Sequence, residues 1–129
     1  MVIPVLKRID DITEPDDVED FLMHLVAYIG VEGSSGADCF YFRVITPKKL
    51  AKVYCENKDT LLRAIFIVNG INMQQNIDYV IAEIQKLLLG CARETWEETA
   101  LAINYYLDWE YYDPEKGICD FYKITRNLK

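Results

Sequence analysis

The chain has 129 residues, with 14 Lys and Arg against 21 Asp and Glu, and a formal net charge of −7. This length fits one domain with one hydrophobic core, and a composition of 51% hydrophobic and 27% charged residues excludes a disordered chain. The excess of acids argues against a general binder of the nucleic-acid backbone, because that affinity depends on clustered Lys and Arg.

The first 45 residues predict three strands separated by turns. Residues 2–9 form the first strand, and Pro4 places it at a sheet edge because proline has no N–H to donate to a neighbouring strand. An acidic loop follows over residues 10–20. Residues 21–31 and 39–45 then predict a β-hairpin across a glycine-rich turn, although a helix is the alternative for the first of these two segments.

Three helices are predicted from capping signals. Thr and Asn side chains accept hydrogen bonds from the free N–H groups of a first turn, and such residues stand at Thr46, Asn72 and Thr95. The first helix is expected to end near Asn57. A strand over residues 61–68 follows it and precedes the second helix.

The C-terminal part predicts a strand over 109–112, a turn over 113–117 and a final strand over 118–124. The resulting order is β-β-β-α-β-α-α-β-β. Strands clustered at both ends favour an α+β fold, with a largely antiparallel sheet and about three helices packed on one face. We expect a single domain over residues 1–129.

No constellation in the sequence is typical of a catalytic or metal site. The single histidine, His24, lies in an apolar stretch that favours a structural role. The four cysteines lack a CxxC pair, so reduced thiols are expected, with no metal and no cofactor. A signal-peptide pattern and a membrane-length apolar run are both missing. A cytoplasmic protein without membrane or direct nucleic-acid contacts is therefore expected.

The charge is distributed unevenly along the chain. No Lys or Arg occurs between Arg8 and Arg43, or between Arg93 and Lys116. These two windows hold nine and seven acids, so they carry −16 against +9 in the rest of the chain. Acidic runs are usually solvated surfaces. The alternative is a face that binds cations or a basic protein.

The second window also contains a cluster of aromatic residues. Alternation along a strand sends successive side chains to opposite faces. One face can enter the core, and it holds Leu107, Trp109 and Tyr111. The other face carries Asp108, Glu110 and Tyr112. Tyrosines among carboxylates suit contact with a basic protein surface, because the rings supply buried area and the carboxylates supply charge pairing.

Three segments resemble a known family. The run Glu94-Thr-Trp-Glu-Glu-Thr-Ala-Leu-Ala-Ile, followed by Leu107-Asp-Trp-Glu-Tyr-Tyr-Asp113, resembles the closing motif of the bacterial Immunity protein 8 family. Phe40 to Leu50, with its Thr-Pro pair, is similar to the strand-to-helix segment of that family, as is the Ile29-Gly30 turn. The resemblance covers roughly residues 21–113. Tyr111 stands where phenylalanine is common, and the extension 114–129 departs from the pattern.

This resemblance implies an immunity protein of a polymorphic-toxin system such as contact-dependent growth inhibition. Such a protein is not an enzyme, resides in the cytoplasm and blocks a cognate toxin domain. Toxins that cut RNA or DNA need basic clefts, so the expected partner is a basic nuclease domain bound 1:1 by an acidic surface.

The expected toxin-binding residues come from both windows. They are Asp11, Glu14, Asp16 and Asp17 in the acidic loop, and Asp108, Glu110, Tyr112 and Asp113 in the aromatic segment. Two alternatives stay open at this stage. One is a non-catalytic interaction module that forms a homodimer through exposed strand edges, and the other is a small enzyme with a carboxylate pair in a deep cleft.

Overall fold

The computed structural model describes residues 1–56 and 63–127, except for the side chains of residues 55–56 and 124–127. Its strands are β1 (Pro4–Asp10), β2 (Leu22–Val31), β3 (Asp38–Ile45), β4 (Ile65–Ile67), β5 (Asp108–Trp109), β6 (Tyr112–Asp113) and β7 (Gly117–Ile118). Its helices are α1 (Pro47–Glu56), α2 (Met73–Leu88), α3 (Trp96–Asn104) and α4 (Asp120–Asn127).

The main sheet has the order β1-β2-β3-β4. Its first three strands are antiparallel, whereas β4 runs parallel to the second half of β3. Strand β5 pairs antiparallel with the first half of β3, so β4 and β5 lie end to end along the same edge. The prediction of an α+β fold with a largely antiparallel sheet is confirmed.

The N-terminal hairpin follows the sequence prediction. Segment 21–31 is a strand and not a helix, and Pro4 begins an edge strand. The turn after β2 folds back closely onto that strand. A Cβ atom at Gly30 would come within 2.0 Å of the Gly36 carbonyl oxygen, so a side chain at Gly30 is excluded.

The predicted helix caps are present. Asn72 Oδ1 accepts the Gln75 backbone N–H at 2.9 Å, and Thr95 Oγ1 accepts the Glu98 backbone N–H at 3.2 Å. These bonds satisfy free donors of the first turns of α2 and α3. Thr46 Oγ1 accepts the Phe21 backbone N–H at 3.0 Å and thus also links α1 to the entry of β2.

One face of the sheet packs against three helices in a single hydrophobic core. The sheet supplies Leu25, Ala27, Ile29, Phe40, Phe42 and Val44. The helices supply Ile77, Val80, Ile84 and Leu88 from α2, Ala100 and Ile103 from α3, and Tyr122 from α4. No helix within the described residues has both the length and the apolar character to cross a membrane.

The C-terminal prediction is partly wrong. Of the final strand predicted over 118–124, Ile118 lies in β7, but residues 120–124 belong to helix α4. There Tyr122 is buried and contacts the rings of Trp109 and Tyr111 at centroid distances of 5.2 and 5.0 Å. The strand predicted over 109–112 is interrupted and divides into β5 and β6. The predicted turn is confirmed as the connection of the β6–β7 hairpin. For the predicted strand 61–68, residues 61 and 62 lie outside the described part.

Candidate functional site

The sheet face opposite the core is built from alternate residues of β1, β2, β3 and β5, and we call it the open face. It carries Arg8, Asp10, His24, Val26, Tyr28, Cys39, Tyr41, Arg43 and Asp108. His24, which was expected to have a structural role, lies exposed on this face in β2. The open face therefore combines aromatic groups with charges of both signs.

Strand pairing places residues of both acidic windows in one row across this face. Asp10 lies opposite Val26, Val26 opposite Tyr41, and Tyr41 opposite Asp108. These four residues are the acid row. Three strand spacings separate its ends, so the Cα atoms of the two aspartates are roughly 14 Å apart. The fold thus brings one carboxylate from each window to the same surface.

Tyr41 occupies the middle of the acid row and is 50% exposed. Partial burial raises the pKa of Tyr41, and the negative carboxylates of Glu110 and Asp11 raise it further. Strand pairing also places Asp108 of the second window directly opposite this residue.

The neighbouring row contains a cation stacked on a tyrosine. The Arg8 guanidinium carbon lies 4.1 Å from the centre of the Tyr28 ring, and its Nε is 3.2 Å from the Asp10 carboxylate. Arg8 is largely exposed, so this arrangement is held at the surface by the ring and the carboxylate together.

Cations from outside the windows reach several of the acids. Arg63 Nε lies 3.0 Å from Asp108 Oδ1, and Lys52 forms an ion pair with Asp20. The absence of Lys and Arg along the sequence of a window therefore does not leave all of its carboxylates without cations in space. Since these pairs are partly exposed, each contributes little to stability.

Arg63 also holds the end of helix α3. Its guanidinium donates to the Tyr105 carbonyl oxygen at 3.1 Å and to the Asn104 carbonyl oxygen. A cation at the C-terminus of a helix compensates the unpaired carbonyls of the last turn. The Asp108 bridge thus belongs to a contact that fixes α3 beside β5.

The acidic loop carries the least compensated charge. Asp11, Glu14, Asp16 and Asp17 are all exposed. Among the described residues none of these four forms an ion pair, and Asp17 accepts the Glu19 backbone N–H at 2.9 Å. The backbone turns at Asp11 with a positive φ of 72°, which aspartate tolerates better than most residues.

The four predicted residues of the aromatic segment divide into two pairs. Asp108 and Tyr112 are exposed and line one cleft with Leu101 and Tyr105. Glu110 instead accepts the Cys39 backbone N–H through its carboxylate. Its own N–H donates to the Cys39 carbonyl oxygen at 3.0 Å.

Asp113 resembles Glu110 in this respect. It is partly buried, and its Oδ1 accepts the Glu115 backbone N–H at 2.8 Å within the β6–β7 turn. Asp108 and Tyr112 are therefore accessible to a partner, although Asp108 already pairs with Arg63, whereas Glu110 and Asp113 hold the local backbone.

Two open-face residues escaped the sequence prediction. Asp10 was counted in the acidic loop but not as a site residue, and Tyr41 was not proposed for binding. Alternation in the third strand already separated Tyr41 from the buried Phe40 and Phe42. Its acidic neighbours could not be found in this way, because they depend on pairing with β5 and on the loop after β1.

The buried carboxylate of Asp38 links the aromatic segment to β3 on the core side of the sheet. Asp38 Oδ2 accepts the indole N–H groups of both Trp96, at 2.9 Å, and Trp109, at 3.0 Å. Trp109 is buried in the core, whereas Trp96 packs at the core margin and is only partly buried. The shared acceptor joins α3, β3 and β5.

The titratable groups around the open face do not form a metal centre. No cluster of His, Cys, Asp and Glu that could hold a metal ion occurs within residues 1–56 and 63–127. Cys39, Cys91 and Cys119 are free thiols, and Cys55 lies outside the side chains described. Burial and the nearby Glu110 raise the pKa of Cys39 to about 11, which keeps this thiol protonated and unreactive at neutral pH.

Comparison with known proteins identifies the class to which this chain belongs, that of immunity proteins directed against toxins. The model of the Immunity protein 8 family matches residues 8–113, and the chain belongs to this family. The match ends at Asp113, where the resemblance to the family also ended, and it includes the last three residues of β1 and the whole acidic loop. No curated protein and no solved structure matches the chain.

Proposed function

We propose that this protein resides in the cytoplasm and neutralises a nuclease toxin of a polymorphic-toxin system, such as contact-dependent growth inhibition. It binds the toxin domain 1:1 and covers the active site or substrate groove with the acid row and the acidic loop. The acid row carries this proposal, because it places carboxylates of both windows on one side of the sheet.

Charge complementarity supports a nuclease as the target. An enzyme that binds the phosphate backbone presents Lys and Arg in its substrate groove. The uncompensated carboxylates Asp11, Glu14, Asp16 and Asp17 attract such a groove. Asp108, which pairs with Arg63 but stays exposed, and Tyr112 extend this surface and add an aromatic contact area. Attraction of this kind accelerates association, which benefits an inhibitor that must act before a lethal enzyme does.

The first experiment tests whether the open reading frame immediately upstream encodes a toxin domain, and it measures the association of that domain with this protein. The association rate is expected to fall steeply as salt rises, because ions screen attraction between exposed charges. An association rate that is the same at low and high salt contradicts the acidic-surface mechanism. Failure to protect cells that produce this domain contradicts the choice of partner.

Charge reversal locates the surface. We expect Asp11→Lys and Asp108→Lys each to slow association about tenfold at low salt, with little change in thermal stability. Asp78→Lys is the matched control, because Asp78 is an exposed aspartate of α2 in the helical layer and its reversal changes the net charge equally. If all three variants slow association equally, only the total charge matters and the open face is not the contact surface.

The homodimer hypothesis makes a different prediction for the isolated protein. Strand β4 is short and apolar, and Ile67 is exposed at this edge of the sheet. A dimer that persists on dilution in sedimentation experiments, and does not dissociate when toxin is added, would favour this alternative over 1:1 neutralisation.

A further inference from the structure

Tyr41 is an aromatic residue that β-pairing holds in place on the open face. Its strand is paired on both sides, with Val26 opposite on β2 and Asp108 opposite on β5. The side chain nevertheless remains half exposed. A rigid backbone with an accessible ring is suited to act as an anchor, because little conformational freedom is lost when a partner binds.

The adjacent tyrosine illustrates how this surface binds a cation. On Tyr28, a guanidinium lies over the ring and contacts a carboxylate from the next strand, Asp10. The ring face and the carboxylate attract the same positive charge, and the flat guanidinium can contact both at once.

The arrangement at Tyr28 consists of a ring, a carboxylate and a cation, and the surroundings of Tyr41 contain the first two. Asp108 stands directly opposite on the neighbouring strand, and the Glu110 carboxylate accepts the backbone N–H of Cys39, two residues before Tyr41 on β3. Within the described residues no Lys or Arg is stacked on Tyr41. Arg63 reaches Asp108, but its guanidinium is held at the carbonyls that end helix α3.

We infer that Tyr41 binds a basic side chain of the toxin, an arginine or a lysine, which stacks on the ring and pairs with the carboxylates beside it. This inference rests on the proposed function and names the contact at its centre. The expected cation is one that otherwise contacts a phosphate of the nucleic-acid substrate, so its capture also removes a substrate contact. An apolar anchor fits less well, because it would desolvate the neighbouring carboxylates without pairing them.

The test compares three variants in binding to the toxin domain encoded upstream. Tyr41→Leu removes the aromatic ring but keeps an apolar side chain, Tyr41→Phe keeps the ring, and Tyr79→Leu is the matched control. Tyr79 is 49% exposed, almost the same as Tyr41, but lies on α2 in the helical layer. Thermal melting of each variant verifies that it is folded at the temperature of the binding measurement.

Tyr41→Leu is expected to weaken binding about tenfold, whereas Tyr41→Phe stays within about threefold of the parent and Tyr79→Leu does not change affinity. Equal effects of Tyr41→Leu and Tyr79→Leu would overturn the inference. A loss in Tyr41→Phe as large as that in Tyr41→Leu would also overturn it, since the hydroxyl and not the ring would then carry the contact.

A second measurement applies even if Tyr41→Leu is unstable. Each Arg and Lys of the toxin groove is replaced by Met, and its effect is measured against the parent and against Tyr41→Phe. One position is expected to lose about tenfold with the parent and to retain most of that loss with Tyr41→Phe. If no single toxin cation has such an effect, the inference is wrong.

The two levels of the proposal can fail separately. If the upstream toxin domain does not bind, or binds independently of salt, the proposed function fails. If it binds with strong salt dependence while Tyr41→Leu behaves like Tyr79→Leu, only the role of Tyr41 is wrong.

Discussion

The two faces of β3 and β5 differ more than their shared backbone suggests. Phe40 and Trp109 face the core with exposures of 0% and 2%, and their rings stack at 6.4 Å. Tyr41 directly follows Phe40 in the chain, and Asp108 directly precedes Trp109. Both are nevertheless exposed on the open face. Neighbouring residues therefore serve different purposes, because strand alternation assigns one to the fold and the other to the surface.

This comparison also explains what the family motif reports. Thr95, Trp96 and Trp109 are motif residues that cap a helix or bind Asp38, so they identify the fold. The open-face residues between them identify the candidate contact with a partner. Substitutions on the core side should change the free energy of unfolding, whereas those on the open face should change toxin affinity.

The largest effect is expected for Trp109→Ala. This change removes a buried ring that contacts Phe40 and Tyr122, and one of the donors to Asp38. We expect the free energy of unfolding to fall by about 3–5 kcal/mol in urea denaturation. Trp109→Phe keeps a smaller aromatic ring without the N–H donor and should lose less, about 1–3 kcal/mol. A loss below about 1 kcal/mol for the alanine variant would break the comparison.

Trp96→Ala should cost less than Trp109→Ala. If Trp96 were a fully buried core residue, the loss would again be about 3–5 kcal/mol. Because the ring lies at the core margin, we expect about 2–3 kcal/mol, from lost packing and the lost N–H bond to Asp38. Equal losses for both tryptophans in the same urea series would show that the margin is as tightly packed as the centre.

Glu110 and Asp108 should respond differently to charge reversal, although both were predicted to bind toxin. Glu110→Lys removes the acceptor of the Cys39 backbone N–H, so we expect a loss of about 1–3 kcal/mol in stability. Asp108→Lys breaks an exposed ion pair, while Arg63 keeps its bonds to the carbonyls that end α3, so stability should stay within about 0.5 kcal/mol.

Glu110→Gln is the control for this pair, because it keeps an acceptor and should retain most of the stability. Denaturation curves of the three variants decide the matter. Identical midpoints for Glu110→Lys and Asp108→Lys would mean that Glu110 is as purely a surface residue as its neighbour.

The smallest effect concerns alkaline pH. Cys39 has a pKa of about 11 in the folded protein against 9.0 for an unperturbed thiol, so the folded state retains its proton longer. The contribution of Cys39 to the free energy of unfolding is therefore fully present below about pH 9, and it is lost as the pH rises from 9 towards 11. We expect a decline on the order of 1 kcal/mol, reduced by the partial exposure of the group.

Cys39→Ser should flatten this decline without abolishing it, since the pKa of Tyr41 is also raised and its titration follows the same sign. Thermal melts of both proteins between pH 8 and 11 measure the difference. Superimposable pH profiles would assign the alkaline loss to other groups.

Local signals in the sequence were sufficient for much of the fold. The caps at Asn72 and Thr95 were predictable because a cap acts within four residues. The inward and outward residues of segment 107–112 followed from alternation, even though the strand is interrupted there. Helix α4 was missed because Tyr122 is buried by aromatic partners that are more than ten residues away in sequence.

The candidate site was less predictable, because charge depends on distances in space. The sequence separates Asp108 from every Lys and Arg, but Arg63 pairs with it across a gap of 45 positions. Similarly, Asp10 and Asp108 share a row only through the order of four strands. Acidic windows therefore indicated which segments to consider, and strand pairing decided which of their residues face the same way.

The shared hydrogen-bond acceptor of the two indoles has a practical consequence for spectroscopy. The chain contains only two tryptophans, and both donate to the same oxygen of Asp38 behind the sheet. Intrinsic tryptophan emission therefore reports on the integrity of one junction between α3, β3 and β5. A ligand on the open face should leave that emission nearly constant. Tryptophan emission can therefore follow unfolding, while a dye attached to the ligand follows association in the same sample.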